Sequence, residues 1–296
     1  MLTPAEAETI RSSDPIAGKY IRPFLGADEF INNLPRFCLW LPDSTAPDRK
    51  ESPELRRRIA SVRVMRLASP KVPTQKLANT SHLFGEIRQT LSEYLLIPSV
   101  SSERRDYIPI GYLDGNVIAS NLVFMLPNAT LFHFGVLSST MHNAWMRAVA
   151  GRMKSDYRYS STIVYNNFSW PSCVTTGNSE QKVPSALDGK AQAAIETAAQ
   201  AVLDARSDEE RKCANNDQAC SLADLYDPLT MPPALLKAHQ KLDAAVDKAY
   251  EACGGKKAYK NDAERVAFLF ELYQRQTSLL ESPKVRGKTT RSQKAK

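Results

Sequence analysis

The hydrophobic period of the chain changes once, near residue 180, and this change limits the possible folds more than any compositional average does. Before it, short β-type runs are cut by turn residues: "EYLLIP" from Glu93, "DYIPIGYL" from Asp106, "NVIASNLVFML" from Asn116 and "YSSTIVYN" from Tyr159. Their lengths and their Gly, Pro, Asn and Ser boundaries predict strands, with a hairpin turn at Asp114-Gly115. After it, apolar residues recur only at helical spacing. Leu235, His239, Leu242, Val246 and Tyr250 share one face, and so do Val266, Leu269, Phe270 and Tyr273, behind an Asn261 cap with Glu264 three residues on.

Helices also punctuate the first half. Thr3-Pro4-Ala5-Glu6 is a capping box that predicts a helix to about Arg11, and Ser52-Pro53 opens another in which Leu55, Ile59, Val62 and Arg66 fall at helical spacing. The run Phe37 to Leu41 has strand length. Residues 138 to 150 present Met141, Ala144, Trp145, Ala148 and Val149 as one stripe, with Gly151 expected as the C-terminal cap. Later helices are expected over Lys190 to Arg206, Pro233 to Tyr250 and Asp262 to Leu280. The fold class is therefore α+β: a mixed-sheet domain over 1–178, a polar linker over 179–189, a small all-α domain over 190–281 and a tail over 282–296. That tail has no large apolar residue except Val285 and is expected to be disordered.

Several functions are excluded by what the pattern lacks. There is no run of eighteen apolar residues, and the N-terminus has acidic residues where a signal peptide needs a basic flank, so the expectation is a cytoplasmic protein with no membrane partner. Five scattered cysteines without C-x-x-C argue against a disulfide framework or a zinc ribbon, and four histidines are too dispersed for ligands. Asp43 with Asp48-Arg49-Lys50 imitates a metal-nuclease pattern, but such a short match in a Pro-rich loop arises readily by chance. No glycine-rich phosphate loop and no nucleophile elbow occurs. The sequence thus offers no catalytic residue, no metal site and no cofactor site.

Charge is more informative once divided along the chain. The net +7 splits into +4 over residues 1–180, −3 over 181–281 and +6 over 282–296. A basic first half points weakly to a polyanion. Within it, "SVSSERRDYIPIGYL" places Ser101, Ser102, Arg104 and Arg105 on a loop between two strands, donors suited to phosphates or base edges. "AWMRAVAGRMKSDYRYSSTIVYNNFSWP" gathers Arg147, Arg152, Lys154 and Arg158 beside Tyr157 and Tyr159, cations next to rings that could stack on bases. Base reading is expected from Arg104 and Arg105, and phosphate gripping from Arg152, Lys154 and Arg158. The competing reading is ordinary surface charge, with Glu103 or Asp156 pairing an arginine.

Four blocks, "KYIRPFLGADEFIN", "IPSVSSERRDYIPIGYL", "FGVLSSTMHNAWMRAVAGRMKSDYRYSSTIVYNNFSWP" and "LADLYDPLTMPPALLKAHQKLDAAVDKAY" with its following "ERVAFLFELY", resemble the C-terminal portion of the MmeI-like type IIG restriction-modification enzymes and related methyltransferases. The resemblance runs from Leu2 to about Gln276. It implies a target-recognition domain followed by a C-terminal helical domain, with double-stranded DNA as the partner and adenine methylation from S-adenosylmethionine as the activity of the complete enzyme. The family's Asn-Pro-Pro-aromatic motif and glycine-containing cofactor motif do not occur in these 296 residues. The expectation is therefore a recognition module that is inactive alone, binds no cofactor itself and serves a separate catalytic methyltransferase polypeptide. One rival reading assigns methyl transfer to this chain despite the missing motifs; another makes it a non-catalytic scaffold whose basic clusters are surface charge.

Overall fold

A computed structural model describes residues 1–171, 188–216 and 220–277. Helix α1 (Pro4–Ser13) starts at Thr3, whose hydroxyl accepts the Glu6 amide while the Glu6 carboxylate accepts the Thr3 amide, the expected capping box. Helix α2 (Pro15–Gly18), strand β1 (Ile21–Leu25), helix α3 (Ala27–Asn32), strand β2 (Phe37–Leu39) and helix α4 (Ala46–Glu51) follow. Asp48 of the nuclease-like pattern accepts hydrogen bonds from Thr45 and from the Tyr20 hydroxyl, the latter at 2.5 Å, so its carboxylate serves the start of α4. Helix α5 (Pro53–Leu67) is capped by Ser52, which accepts the Leu55 amide at 3.0 Å and donates to the buried Asp14 at 2.6 Å. The short helix α6 (Val72–Lys76) ends this section.

The strand-rich section contains β3 (Tyr94–Pro98), β4 (Val100–Ser101), β5 (Gly111–Leu113), β6 (Ile118–Ala119) and β7 (Val123–Pro127). Helices α7 (Leu131–Ser138) and α8 (Thr140–Val149) come next, then the hairpin β8 (Gly151–Met153) and β9 (Asp156–Arg158). These strands form three small sheets, ordered β2-β1-β6, β5-β3-β7 and β4-β9-β8. Strand β3 is buried at every position, as its continuous apolar run requires. The turn at Asp114-Gly115 exists, with the Asn116 amide on the Asp114 carboxylate at 2.8 Å, but it is no hairpin: β5 pairs with β3 and β6 pairs with β1. Gly115 is needed for a close approach, because a Cβ there would lie 2.4 Å from the Leu91 carbonyl oxygen.

Three further expectations are corrected locally. Residues Ser161–Tyr165 form a π-helical turn and not a strand, started by the Ser160 hydroxyl accepting the Ile163 amide. Gly151 does not cap a helix; α8 ends in extended backbone at Ala150 and Gly151 opens β8. The helix expected over 138–150 is preceded by α7, and the two are separated at Ser139, whose hydroxyl caps α8.

Beyond the first half come α9 (Gly189–Asn215), which runs on past Arg206, then α10 (Leu222–Leu225), α11 (Pro233–Ala249) and α12 (Asp262–Thr277). Apart from Asp188 and Gly189, the expected linker 179–189 lies outside the described residues, as does the tail 282–296. Among the described residues no helix is long and apolar enough to cross a membrane. Among the described residues Cys38, Cys213 and Cys220 carry free thiols.

The helices complete a core that the strands begin. One buried cluster joins Leu95, Ile97, Phe134, Leu137 and Trp145 to Ile195, Val202, Leu242, Tyr250 and Leu269. At its centre α7 lies so close to α9 and α11 that a Cβ on Gly135 would stand 2.7 Å from Ile195 and 3.1 Å from Ala199. Polar staples cross the same boundary. Asp243 of α11 accepts the Thr140 amide at 2.6 Å, the Thr140 hydroxyl at 2.7 Å and the Tyr107 hydroxyl at 2.7 Å. The buried Arg206 of α9 donates to the Ile110 carbonyl and to the Tyr226 hydroxyl, each at 2.6 Å.

Candidate nucleic-acid interface

The two basic segments singled out in the sequence meet on the third sheet. Strand β4 pairs with β9 in the register Val100 to Arg158 and Ser101 to Tyr157, and β9 pairs with β8 in the register Arg152 to Tyr157. The loop after β4, which carries Arg104 and Arg105, is thereby held next to the β8–β9 hairpin. Its first turn closes with the Arg105 amide on the Ser102 carbonyl at 3.2 Å. At the hairpin tip Lys154 adopts φ 56°, a left-handed conformation uncommon outside glycine, which a tight turn between antiparallel strands demands.

Each cation has a definite setting. Arg152 pairs with Glu103 across the two segments at 3.1 Å, and its guanidinium lies 3.9 Å from the centroid of Tyr157. The Glu103 amide also points at the Asp156 carboxylate, at 3.4 Å. Arg104 is 64% exposed and lies 3.8 Å from Asp227, in the turn before α11. Arg105 is half-buried with an unpartnered Nε, and burial lowers its pKa against the opposing pull of Asp156 and Asp227. Lys154 and Arg158 are exposed and form no ion pair among the described residues.

Other expected contacts are turned inward. Tyr157 and Tyr159 are 9% and 4% exposed, and the Tyr159 hydroxyl lies 3.0 Å from Nε2 of the buried His142, so these rings support the sheet from inside. Burial takes the His142 imidazole down to about 3, which keeps it neutral in this contact. Ser101 is buried, and Ser102 is partly exposed at the loop start. Arg147 bonds Asp262 of α12 at 2.7 Å and the Asp106 carbonyl, which fixes the helical region to the loop after β4. Arg147, Tyr157 and Tyr159 were expected at DNA because cations and rings alternate in the sequence; burial of the ring faces and a carboxylate from α12 are tertiary facts with no local signal. Asp227 was missed for the same reason, since Asp-Pro reads only as a turn.

The third sheet thus gathers Arg152 and Arg158, with Lys154 at its tip, Arg104 on the adjoining loop and Glu103, Asp156 and Asp227 near them; by strand alternation Arg152 lies on the Tyr157 side of the hairpin and Arg158 on the other. Alternating cations and carboxylates on a loop and a hairpin tip can meet phosphates with the former and exocyclic amines of bases with the latter. Among the described residues no group of three or more His, Cys, Asp and Glu could hold a metal ion.

Comparisons with known proteins agree along the chain. The model of the MmeI target recognition domain matches residues 1–172, and that of the MmeI C-terminal domain matches residues 187–281. DNA methyltransferase A of Bacillus subtilis (strain 168) is 38% identical over 258 residues, which cover 87% of this chain and 26% of that protein. The solved structure of the type IIL restriction-modification enzyme MmeI in complex with DNA superposes with a TM-score of 0.81 at 46% identity, covering 94% of this chain and 34% of MmeI. The chain therefore spans about a quarter to a third of the length of these relatives.

Proposed function

Since the chain belongs to the MmeI family, carrying its target recognition and C-terminal domains, we propose that it recognises a specific sequence in duplex DNA for an adenine-specific, S-adenosylmethionine-dependent methyltransferase. The catalytic part would lie outside these 296 residues, which contain no Asn-Pro-Pro-aromatic motif. The observation that carries this reading is the pairing of β4 with β9, which sets two basic segments, far apart in sequence, side by side. MmeI itself was solved in complex with DNA, which supports the same choice of partner. Arg104 is the first candidate for reading a base edge, because it is exposed on a loop. Arg152, Lys154 and Arg158 would grip phosphates.

The purified chain should bind duplex DNA with an affinity that falls steeply as salt rises, because phosphate contacts release counterions. It should transfer no labelled methyl group to DNA on its own. Fluorescence anisotropy across a salt series, with a methyl-transfer assay on the same preparation, tests both points. Failure to bind any duplex at low salt would remove the reading, and methyl transfer by the chain alone would overturn the placement of catalysis.

A further inference from the structure

A surface ion pair joins the two matched regions of the chain. Arg104 lies within the residues matched by the target recognition domain, and Asp227 within those matched by the C-terminal domain. Their side chains approach to 3.8 Å while remaining 64% and 36% exposed. The other carboxylates around this loop are engaged elsewhere. Glu103 pairs with Arg152 at 3.1 Å, Asp243 accepts from Thr140 and Tyr107, and Asp262 holds Arg147 at 2.7 Å. Among the described residues, Asp227 is the only carboxylate in ion-pair reach of Arg104.

Asp227 is itself fixed by the turn that carries it. Tyr226 before it is buried, with its hydroxyl 2.8 Å from Nε2 of His239 and 2.6 Å from Nε of Arg206. The Thr230 and Met231 amides donate to the Asp227 carbonyl at 3.1 and 2.8 Å, and the Leu229 amide donates to Oδ1 of its carboxylate at 2.9 Å. Oδ2 is left facing the Arg104 guanidinium. At 3.8 Å it attracts without a direct hydrogen bond, so it restricts where the guanidinium sits and leaves the N–H donors free. Reading a guanine edge requires both conditions: paired donors, and a side chain held in one place. Such an exposed pair adds little to stability, so its effect falls on the placement of the arginine. Arg105 also feels Asp227, but Asp156 acts on it more strongly.

We propose that Asp227, from the helical region, is a positioning residue for base reading: it holds Arg104 in place for one base pair of the target, so that both matched regions select the sequence. The proposal rests on the reading above that Arg104 meets a base edge of duplex DNA. The same carboxylate competes with phosphates for Arg104, which disfavours duplexes that lack the base pair.

The test uses the full chain and the duplex that it enriches from a randomised pool, together with every single-substituted derivative of that duplex. Asp227→Asn is the informative variant, because it keeps the Oδ1 that accepts the Leu229 amide and replaces only the atom facing Arg104. Its melting temperature should match that of the parent. Its preference for the enriched duplex should fall at least about fivefold at one base pair, the pair at which Arg104→Ala loses preference, and stay unchanged at the others. Its affinity for unrelated duplexes should rise, since one negative charge has left the neighbourhood of the phosphates. The double variant should discriminate no worse than Arg104→Ala alone, as two residues acting through one contact require. Unchanged preference in Asp227→Asn, or losses that add in the double variant, would overturn the proposal and leave the proposed function standing. A lowered melting temperature with preference lost at all base pairs alike would make Asp227 a structural residue of its turn, and would also overturn it. A parent chain that enriches no duplex removes the proposed function, and this proposal with it.

Discussion

Burial raises the Asp243 carboxyl above its ordinary 3.8, against hydrogen bonds from Thr140 and Tyr107 that favour the ionised form. The folded protein thus holds this proton more tightly than the unfolded chain does. The stability so conferred is complete below 3.8 and is lost as pH rises through the elevated folded value. Asp243→Asn cannot titrate. In denaturant titrations from pH 4 upward, the stability of the parent chain relative to Asp243→Asn should decline, and a pH-independent difference would contradict the assignment. Asp243→Ala strands the Thr140 and Tyr107 donors and should cost about 1–3 kcal/mol in the same titrations. On the β4-β9-β8 sheet and its adjoining loop, the effects expected under the proposed function differ in kind. Lys154→Ala and Arg158→Ala should weaken binding to all duplexes alike, whereas Arg104→Ala should also blur preference for one base pair, by about 1–3 kcal/mol of discrimination, when cognate and single-substituted duplexes are compared.

Helix α7 crosses α9 and α11 at Gly135, where a Cβ would fall 2.7 Å from Ile195, 3.1 Å from Ala199 and 3.2 Å from Leu242. Alanine is the better helix former by about 1 kcal/mol, yet overpacking of this kind costs about 1–3 kcal/mol. Gly135→Ala should therefore lower the urea midpoint, and a raised midpoint would mean that the helices separate freely. The element scale also separates what the sequence encodes locally from what it does not. The capping box at Thr3, the Ser52 cap and the Asn261 cap were legible because each is a short-range hydrogen bond between residues three apart. The strand β3 was legible from its unbroken apolar run. The handover of the chain between sheets at Asp114 was not, since strand partners are chosen by packing far along the chain. For the candidate site, the basic loop and the cationic run from Arg147 to Arg158 could be picked out, but the β8–β9 hairpin within that run and its pairing with β4 could not. The inward turn of Tyr157, Tyr159 and Arg147 depends on His142 and Asp262, which no spacing rule connects to them.

At the scale of the whole molecule, the shared cluster of Leu95, Phe134 and Trp145 with Ile195, Leu242 and Leu269 makes the strand-rich and helical regions one cooperative unit. Calorimetry should show a single unfolding transition. A chain cut after Pro171 would expose Phe134, Leu137 and Trp145 and should aggregate or lose near-ultraviolet ellipticity; a soluble, sharply melting fragment would show that the core divides. The same architecture leaves the β8–β9 tip and the loop at Arg104 outside that core, standing on it and not within it. For the lineage that carries such a protein, this sets the grain of evolutionary change: recombination that separates the two regions should break the fold, whereas under the proposed function point changes at the exposed Arg104, Arg152, Lys154 and Arg158 should alter what is read and leave the fold intact. New target sites would accordingly arise by substitution on the rim, with the two matched regions inherited as a single piece.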